Sequence, residues 1–146
     1  MAQKMEFEVT GSAKGMKSTL MTKQHTVIID EPENMGGEDS GPDPLANMLA
    51  SLAGCENVIA NMVAKEIGFD LQGIDFRVTG ELDPRGLMGD KDVQSYFQQV
   101  GIEATVQTSE SEERIEELKK ITDERCPVFT TFVAAGIPID ATWKKA

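Results

Sequence analysis

The chain has 146 residues, 40% of them apolar and 27% charged, with 14 basic against 25 acidic side chains and a net charge of −11. That composition excludes a disordered chain, and a single domain over residues 1–146 is expected. So negative a field repels phosphate backbones, and no apolar run approaches the ~18–20 residues of a membrane span, so neither nucleic acid nor a membrane is an expected partner.

The polar start, Met1-Ala2-Gln3-Lys4-Met5-Glu6, has no secretory apolar region, and the expected location is the cytoplasm. With six Phe, one Trp and one Tyr, the core must come mainly from Leu, Ile, Val, Met and Ala.

Met5, Phe7 and Val9 alternate with polar residues, which predicts a strand over 5–9, and residues 11–15 carry a turn signal. Residues 16–22 and 25–30 read as two further strands of an antiparallel meander. His25 opens the last of these and reads as an edge residue rather than a catalytic one. Residues 31–44 hold Pro32, Gly36, Gly37, Gly41, Pro42 and Pro44, which speaks against regular structure there.

Asp43-Pro44 then opens a long helix, Asp as N-cap and Pro at the first helical position, and Gly68 ends it after Ile67. At about 100° per residue, Leu45, Met48, Leu49, Leu52, Ile59, Val63 and Ile67 share one face, with Asn47, Asn57, Asn61 and Lys65 opposite. Cys55 falls about 60° from Leu52, at the border of the apolar stripe. Ala46, Ala50, Ser51, Ala53 and Gly54 allow another backbone to approach. A helix this apolar needs cover on more than one side.

Residues 73–82 read as a strand, 83–95 as a loop, and 96–107 as a strand bulged near Gly101. Ser109-Glu110-Ser111-Glu112 is a capping-box pattern for a second helix, whose buried face is Ile115, Leu118 and Ile121 or Thr122. Pro127 must break this helix, since it drives Cys126 out of the α region, and it suits the first position of a third helix over 127–135 closed by Gly136. Residues 137–143 give a last strand. The order β-β-β-α-β-β-α-α-β predicts an α+β fold with a largely antiparallel sheet packed on a long central helix.

Cys55 and Cys126 are 71 positions apart (126 − 55). A static disulfide is not expected in a reducing compartment, and two Cys with one His form no closed zinc set. Cys126 precedes a helix N-terminus and follows Arg125, a setting that favours thiolate. Cys55 borders an apolar surface with space beside it. From the residues alone, two inert core cysteines are the favoured reading over a reactive pair.

The stretch from Gly37 to Cys55, Gly37-Glu38-Asp39-Ser40-Gly41-Pro42-Asp43-Pro44-Leu45-Ala46-Asn47-Met48-Leu49-Ala50-Ser51-Leu52-Ala53-Gly54-Cys55, resembles the first cysteine segment of the OsmC-like family (osmotically inducible protein C and the organic hydroperoxide resistance proteins). Arg125-Cys126-Pro127-Val128 resembles that family's second cysteine motif. The resemblance implies a two-layer α+β fold and an interlocked homodimer. It also implies thiol-dependent reduction of organic hydroperoxides, with Cys55 attacking the O–O bond, Cys126 resolving, and a dithiol partner as reductant. No metal, flavin or haem is required.

Two departures stand out. Active members place a Glu directly after the helix-starting Pro, where this chain has Leu45, and take an Arg from the first strands, where residues 8–24 hold only Lys14, Lys17 and Lys23. Arg125, Lys17 and Arg77 are the candidate substitute cations, and Glu56 a candidate carboxylate. The alternative is a non-enzymatic dimer that binds a small hydrophobic ligand or senses thiol oxidation.

Overall fold

The computed structural model describes residues 2–146, which form two compact units divided between Met48 and Leu49.

The first unit is a meander of β1 (Thr10–Lys14), β2 (Lys17–Thr22) and β3 (His25–Ile29), antiparallel throughout. Two-residue turns join the strands, and such turns need backbone in the left-handed region. Gly15 (φ 61°) and Lys23 (φ 55°) supply it. The strand expected over 5–9 is not formed, and β1 instead starts at Thr10 and runs through the expected turn. β2 ends opposite Thr10, at Met21 and Thr22, where the chain turns back, so an extended segment before Thr10 has no strand to pair with among the described residues. Alternation signals a strand only where a partner exists. Met5 (80%) and Phe7 (84%) are consequently exposed.

Residues 31–42 are irregular as expected, apart from a 3-10 turn at Glu33–Met35. The buried Asp30 carboxylate organises them. It accepts from the N–H groups of Glu31 (2.8 Å), Glu38 (3.2 Å) and Ser40 (3.1 Å) and from the Ser40 hydroxyl (2.7 Å). The Ser40 hydroxyl, with these N–H groups, holds its pKa down to about 2 in spite of burial. Gly37 is required here, since a Cβ would lie 2.0 Å from the Glu31 carbonyl oxygen.

Helix α1 (Pro44–Ile67) has the expected ends. Asp43 caps it, accepting from the Ala46 N–H at 2.9 Å, and Gly68 (φ 67°) terminates it.

In the second unit, β4 (Gly73–Glu81) and β5 (Gln99–Gln107) pair antiparallel, and β6 (Ile139–Lys145) lies parallel to β5. The parallel pair follows from the crossover. Helices α3 (Glu112–Arg125) and α4 (Pro127–Ala134) carry the chain back to the start of β5 before β6 begins. Three of the four strand pairings are thus antiparallel, but they belong to two three-stranded sheets rather than one.

Asp83 and Pro84 cap and open a short helix α2 (Pro84–Leu87) inside the expected loop. β5 starts three residues later than expected and has no bulge: Gly101 pairs in register with Thr79, and a Cβ there would meet the Thr79 hydroxyl at 2.8 Å. The cap of α3 is Ser111, which accepts from the Arg114 N–H, while Ser109 bonds Asp70 instead.

Val100, Ile102, Ala104 and Val106 alternate inward along β5. Ala104 and Val106 meet Ala60, Val63 and Ala64 of α1, Ile115 and Leu118 of α3, and Trp143 of β6. Val100 and Ile102 meet Leu52 of α1, Phe97, Phe132 of α4 and Ile137. The α+β class and the packing of sheet on long helix are as expected. The buried line of α1 is Leu52, Glu56, Ala60, Val63 and Ala64, so one carboxylate lies on it.

Candidate active site

Cys126 closes α3 and opens α4. Its N–H bonds the Thr122 carbonyl at 2.9 Å, its carbonyl accepts from the Thr130 N–H at 2.9 Å, and its sulfur accepts from the Phe129 N–H at 3.4 Å. The extended backbone (φ −73°, ψ 114°) is what Pro127 imposes on the residue before it. The thiol is wholly buried.

Burial pushes the Cys126 thiol well above the range of a free thiol. The neighbouring Cys55 and Glu56 push the same way, and the Phe129 N–H offsets only part of this. The thiolate expected from the helix N-terminus is therefore not the resting form. The dipole is present, but desolvation outweighs it.

Cys55 is half-buried on α1, and neither cysteine is in a disulfide. Cys55 is near enough to Cys126 to help raise its pKa. The fold thus brings together the two sequence-separated cysteines within one unit. Ser51 and Asn47 lie one and two turns before Cys55 on the same helix.

Arg125 does not turn toward the cysteines. Its guanidinium forks onto Glu66, with Nη1–Oε2 at 2.6 Å and Nη2–Oε1 at 3.1 Å. It precedes Cys126 by one residue, and one helical step points the side chain about 100° away. Arg77 pairs with Glu103 at 2.9 Å across the strands. Lys17 belongs to the first unit, where its Nζ is 3.9 Å from Glu38 and it lines a cleft of about 610 Å³ with Lys14, Asp30 and Gly37. His25 is exposed at its strand start.

A group of polar side chains that the sequence did not single out as a unit surrounds Cys126. Lys119, Thr122, Asp123 and Cys126 recur at helical spacing along one face of α3. Lys119 Nζ bonds Asp123 Oδ2 at 3.2 Å, both side chains being mostly buried. Glu56, fully buried, faces Asp123, Cys126 and Lys119.

Neither Glu56 oxygen has a hydrogen-bond donor, and neither does Asp123 Oδ1. Burial, and after it the Asp123 carboxylate, push the Glu56 carboxyl up to about 9, against weaker pulls from Cys126 and Lys119. Glu56 is therefore a neutral acid at pH 7, and its proton supplies the missing donor toward Asp123. The available signal was its place four residues after Leu52 and four before Ala60, on the apolar line of α1.

Among the described residues, no group of three or more His, Cys, Asp or Glu is placed to hold a metal ion, and no helix is long and apolar enough to cross a membrane.

Residues 37–142 match a family model described as OsmC-like protein. No curated protein matches the sequence. The chain is similar to an OsmC-like protein from Mycoplasma pneumoniae, with a TM-score of 0.82 and 21% identity over 100% of this chain and 99% of that one. An organic hydroperoxide resistance protein OsmC from Legionella pneumophila gives 0.70 and 17% over 99% of each chain. An organic hydroperoxide resistance protein from Elizabethkingia anophelis, with thiocyanate bound, gives 0.73 and 13% over 100% and 99%. At these identities the likeness shows a common fold. With the family model matching nearly three quarters of its length and both cysteines inside the match, the chain belongs to the OsmC-like family.

Proposed function

We propose that the protein reduces organic hydroperoxides by two-cysteine chemistry. The observation that carries this is the pairing of two free thiols, Cys55 half-buried and Cys126 beside it. The names of the Legionella and Elizabethkingia structures agree with it.

Cys55 thiolate attacks the O–O bond of ROOH, the alkoxide leaves as ROH after taking a proton, and Cys55 becomes a sulfenic acid. Cys126 then displaces the hydroxyl as water and forms the disulfide, and a dithiol supplies the two electrons that reopen it. Cys55 is the more accessible member, able to meet substrate. Cys126 is the withheld one.

The test is consumption of cumene hydroperoxide with dithiol reductants, with Cys55→Ser as control. Turnover is expected only with Cys55 present, and equal turnover in Cys55→Ser would overturn the proposal. Arg125→Met and Lys17→Met, run across a pH series, identify the activating cation. Glu66 already occupies the Arg125 guanidinium, so Arg125→Met should leave the rate within about twofold, while a larger loss in Lys17→Met would assign that lysine.

A second reading, a ligand-binding dimer or thiol sensor without turnover, draws on Leu45 standing where active relatives carry Glu. Reversible disulfide formation without catalytic consumption of peroxide would select it.

The same proposal includes a homodimer. Met5, Phe7 and Val9 of the first unit are exposed, and so are Val58 (57%) and Met62 (48%) on α1 in the second. A partner subunit that covered them would remove a large apolar area from water. Light scattering at micromolar concentration is expected to give about twice the chain mass, and a stable folded monomer would refute the dimer.

A further inference from the structure

The acid group around Cys126 has no part in the two-thiol scheme as written, yet its geometry addresses a difficulty in that scheme. The resolving sulfur must lose a proton to attack, and it is fully buried. Glu56 is equally buried and faces the Cys126 thiol, with both its oxygens and Asp123 Oδ1 lacking donors. Asp123 also lines an open surface depression of about 660 Å³ with Lys119, Glu116 and Phe129, so the group reaches from the sulfur to solvent.

We infer that Glu56 and Asp123 share one proton and form the relay that takes the Cys126 proton when the disulfide closes. In this step Glu56, the buried carboxyl that faces the Cys126 thiol, is the proton acceptor. Asp123 and Lys119 position it. The inference rests on the proposed two-thiol reading and deepens it.

The step balances. The Cys126 S–H bond breaks, its proton goes to the free oxygen of Glu56, and the proton already on Glu56 moves onto Asp123. The sulfur pair attacks Cys55, the S–O bond of the sulfenic acid breaks, and hydroxide leaves. The acid pair, now holding two protons, returns one to the hydroxide as water. Lys119 tempers the charge of Asp123 when the pair is back at one proton. The groups facing Glu56 are Asp123 and Lys119 of α3 and Cys126 at the α3–α4 junction.

A carboxyl that carries its proton at neutral pH must show this in the pH dependence of closure. Pre-reduced protein is mixed with one equivalent of cumene hydroperoxide between pH 6 and 10. Disulfide formation is followed, with dimedone trapping of the Cys55 sulfenic acid as the separate measure of the first step.

Glu56→Gln keeps the shape and one donor but cannot accept a proton. Closure is expected to slow about 100-fold relative to sulfenic acid formation in the same variant, in the range of general acid–base contributions, and to lose its inflection near pH 9. Asp123→Asn removes the neighbouring charge and should move that inflection to lower pH. Glu56→Asp, which keeps a titrating group, should restore part of the rate.

Wild-type closure rate and pH profile in Glu56→Gln would overturn the inference, as would an unmoved inflection in Asp123→Asn. A diamide arm closes the dithiol without peroxide. Glu56-dependent closure by diamide with no sulfenic acid from hydroperoxide would sink the peroxidase reading and leave the relay standing.

Discussion

Under the proposed two-thiol chemistry, Cys126→Ser is expected to reduce hydroperoxide once and then stall with its attacking sulfur oxidised. In the proposed cycle of the parent, the sulfenic acid on Cys55 meets a thiol held beside it, and positioned groups act at effective concentrations far above the millimolar level of an added reductant. With serine there, an external dithiol must do the same work in a bimolecular step at a half-buried sulfur. Steady-state turnover should fall by about two orders of magnitude. Under excess hydroperoxide the unresolved sulfenic acid should advance to sulfinic acid, which dithiols do not reverse.

The substitution should leave the fold intact. Cys126 is the N-cap of α4, its sulfur accepting from the Phe129 N–H, and serine is the better cap. Intact-mass spectrometry would show the parent 2 Da lighter after one equivalent, as a disulfide, and Cys126→Ser about 16 Da heavier, or about 32 Da under excess hydroperoxide. A serine variant that keeps parent turnover without sulfinic acid would show that Cys126 does not resolve.

The long helix was legible because both ends carry strong local signals. Asp43-Pro44 sets the entry and Gly68 the exit, and neither depends on what packs against the helix. The junction at Cys126 was legible for the same reason, since Pro127 dictates the backbone before it. The unpaired segment 5–9 misled because a strand is a property of two chains, and the alternation shows only one of them.

The site divides along the same line. The cysteines stood out through the motifs around them. Arg125 was placed by its sequence adjacency to Cys126, but the last turn of α3 aims it at Glu66. Glu56 lies on the apolar line of α1, between Leu52 and Ala60, and that place was the one signal of its burial. The groups that face it come from α3 and the α3–α4 junction, and nothing on α1 names them. Its partners Asp123 and Lys119 look, in sequence, like an ordinary surface pair four residues apart.

The buried acid should also govern how stability changes with pH. Folding raises the Glu56 carboxyl from its ordinary 4.5 to about 9. Below pH 4.5 it is protonated in both the folded and unfolded chains and contributes no slope. Between these values the folded chain keeps a proton that the unfolded chain has released. Stability therefore falls as pH rises, by up to about 1.4 kcal/mol per pH unit from this group, and the slope ends as the folded-state carboxyl ionises near 9.

Cys126 continues the trend at higher pH, because its thiol also holds its proton longer in the folded chain. Asp30 and Asp83, both held down to about 2, act in the opposite sense but only in acid, below their ordinary 3.8. The two windows do not overlap, so maximum stability is expected near pH 4.5–5 and a marked decline toward pH 9.

Urea midpoints at fixed protein concentration, taken from pH 5 to 9, read this directly. Glu56→Gln should match the parent near pH 5, decline less with pH, and exceed it by several kcal/mol at pH 9. The general repulsion of a chain with net charge −11 is common to both proteins, so the difference between the curves isolates Glu56. Parallel curves would mean that Glu56 is ionised in the folded protein at neutral pH, and Asp123 and Cys126 would then face a charged neighbour rather than a neutral acid.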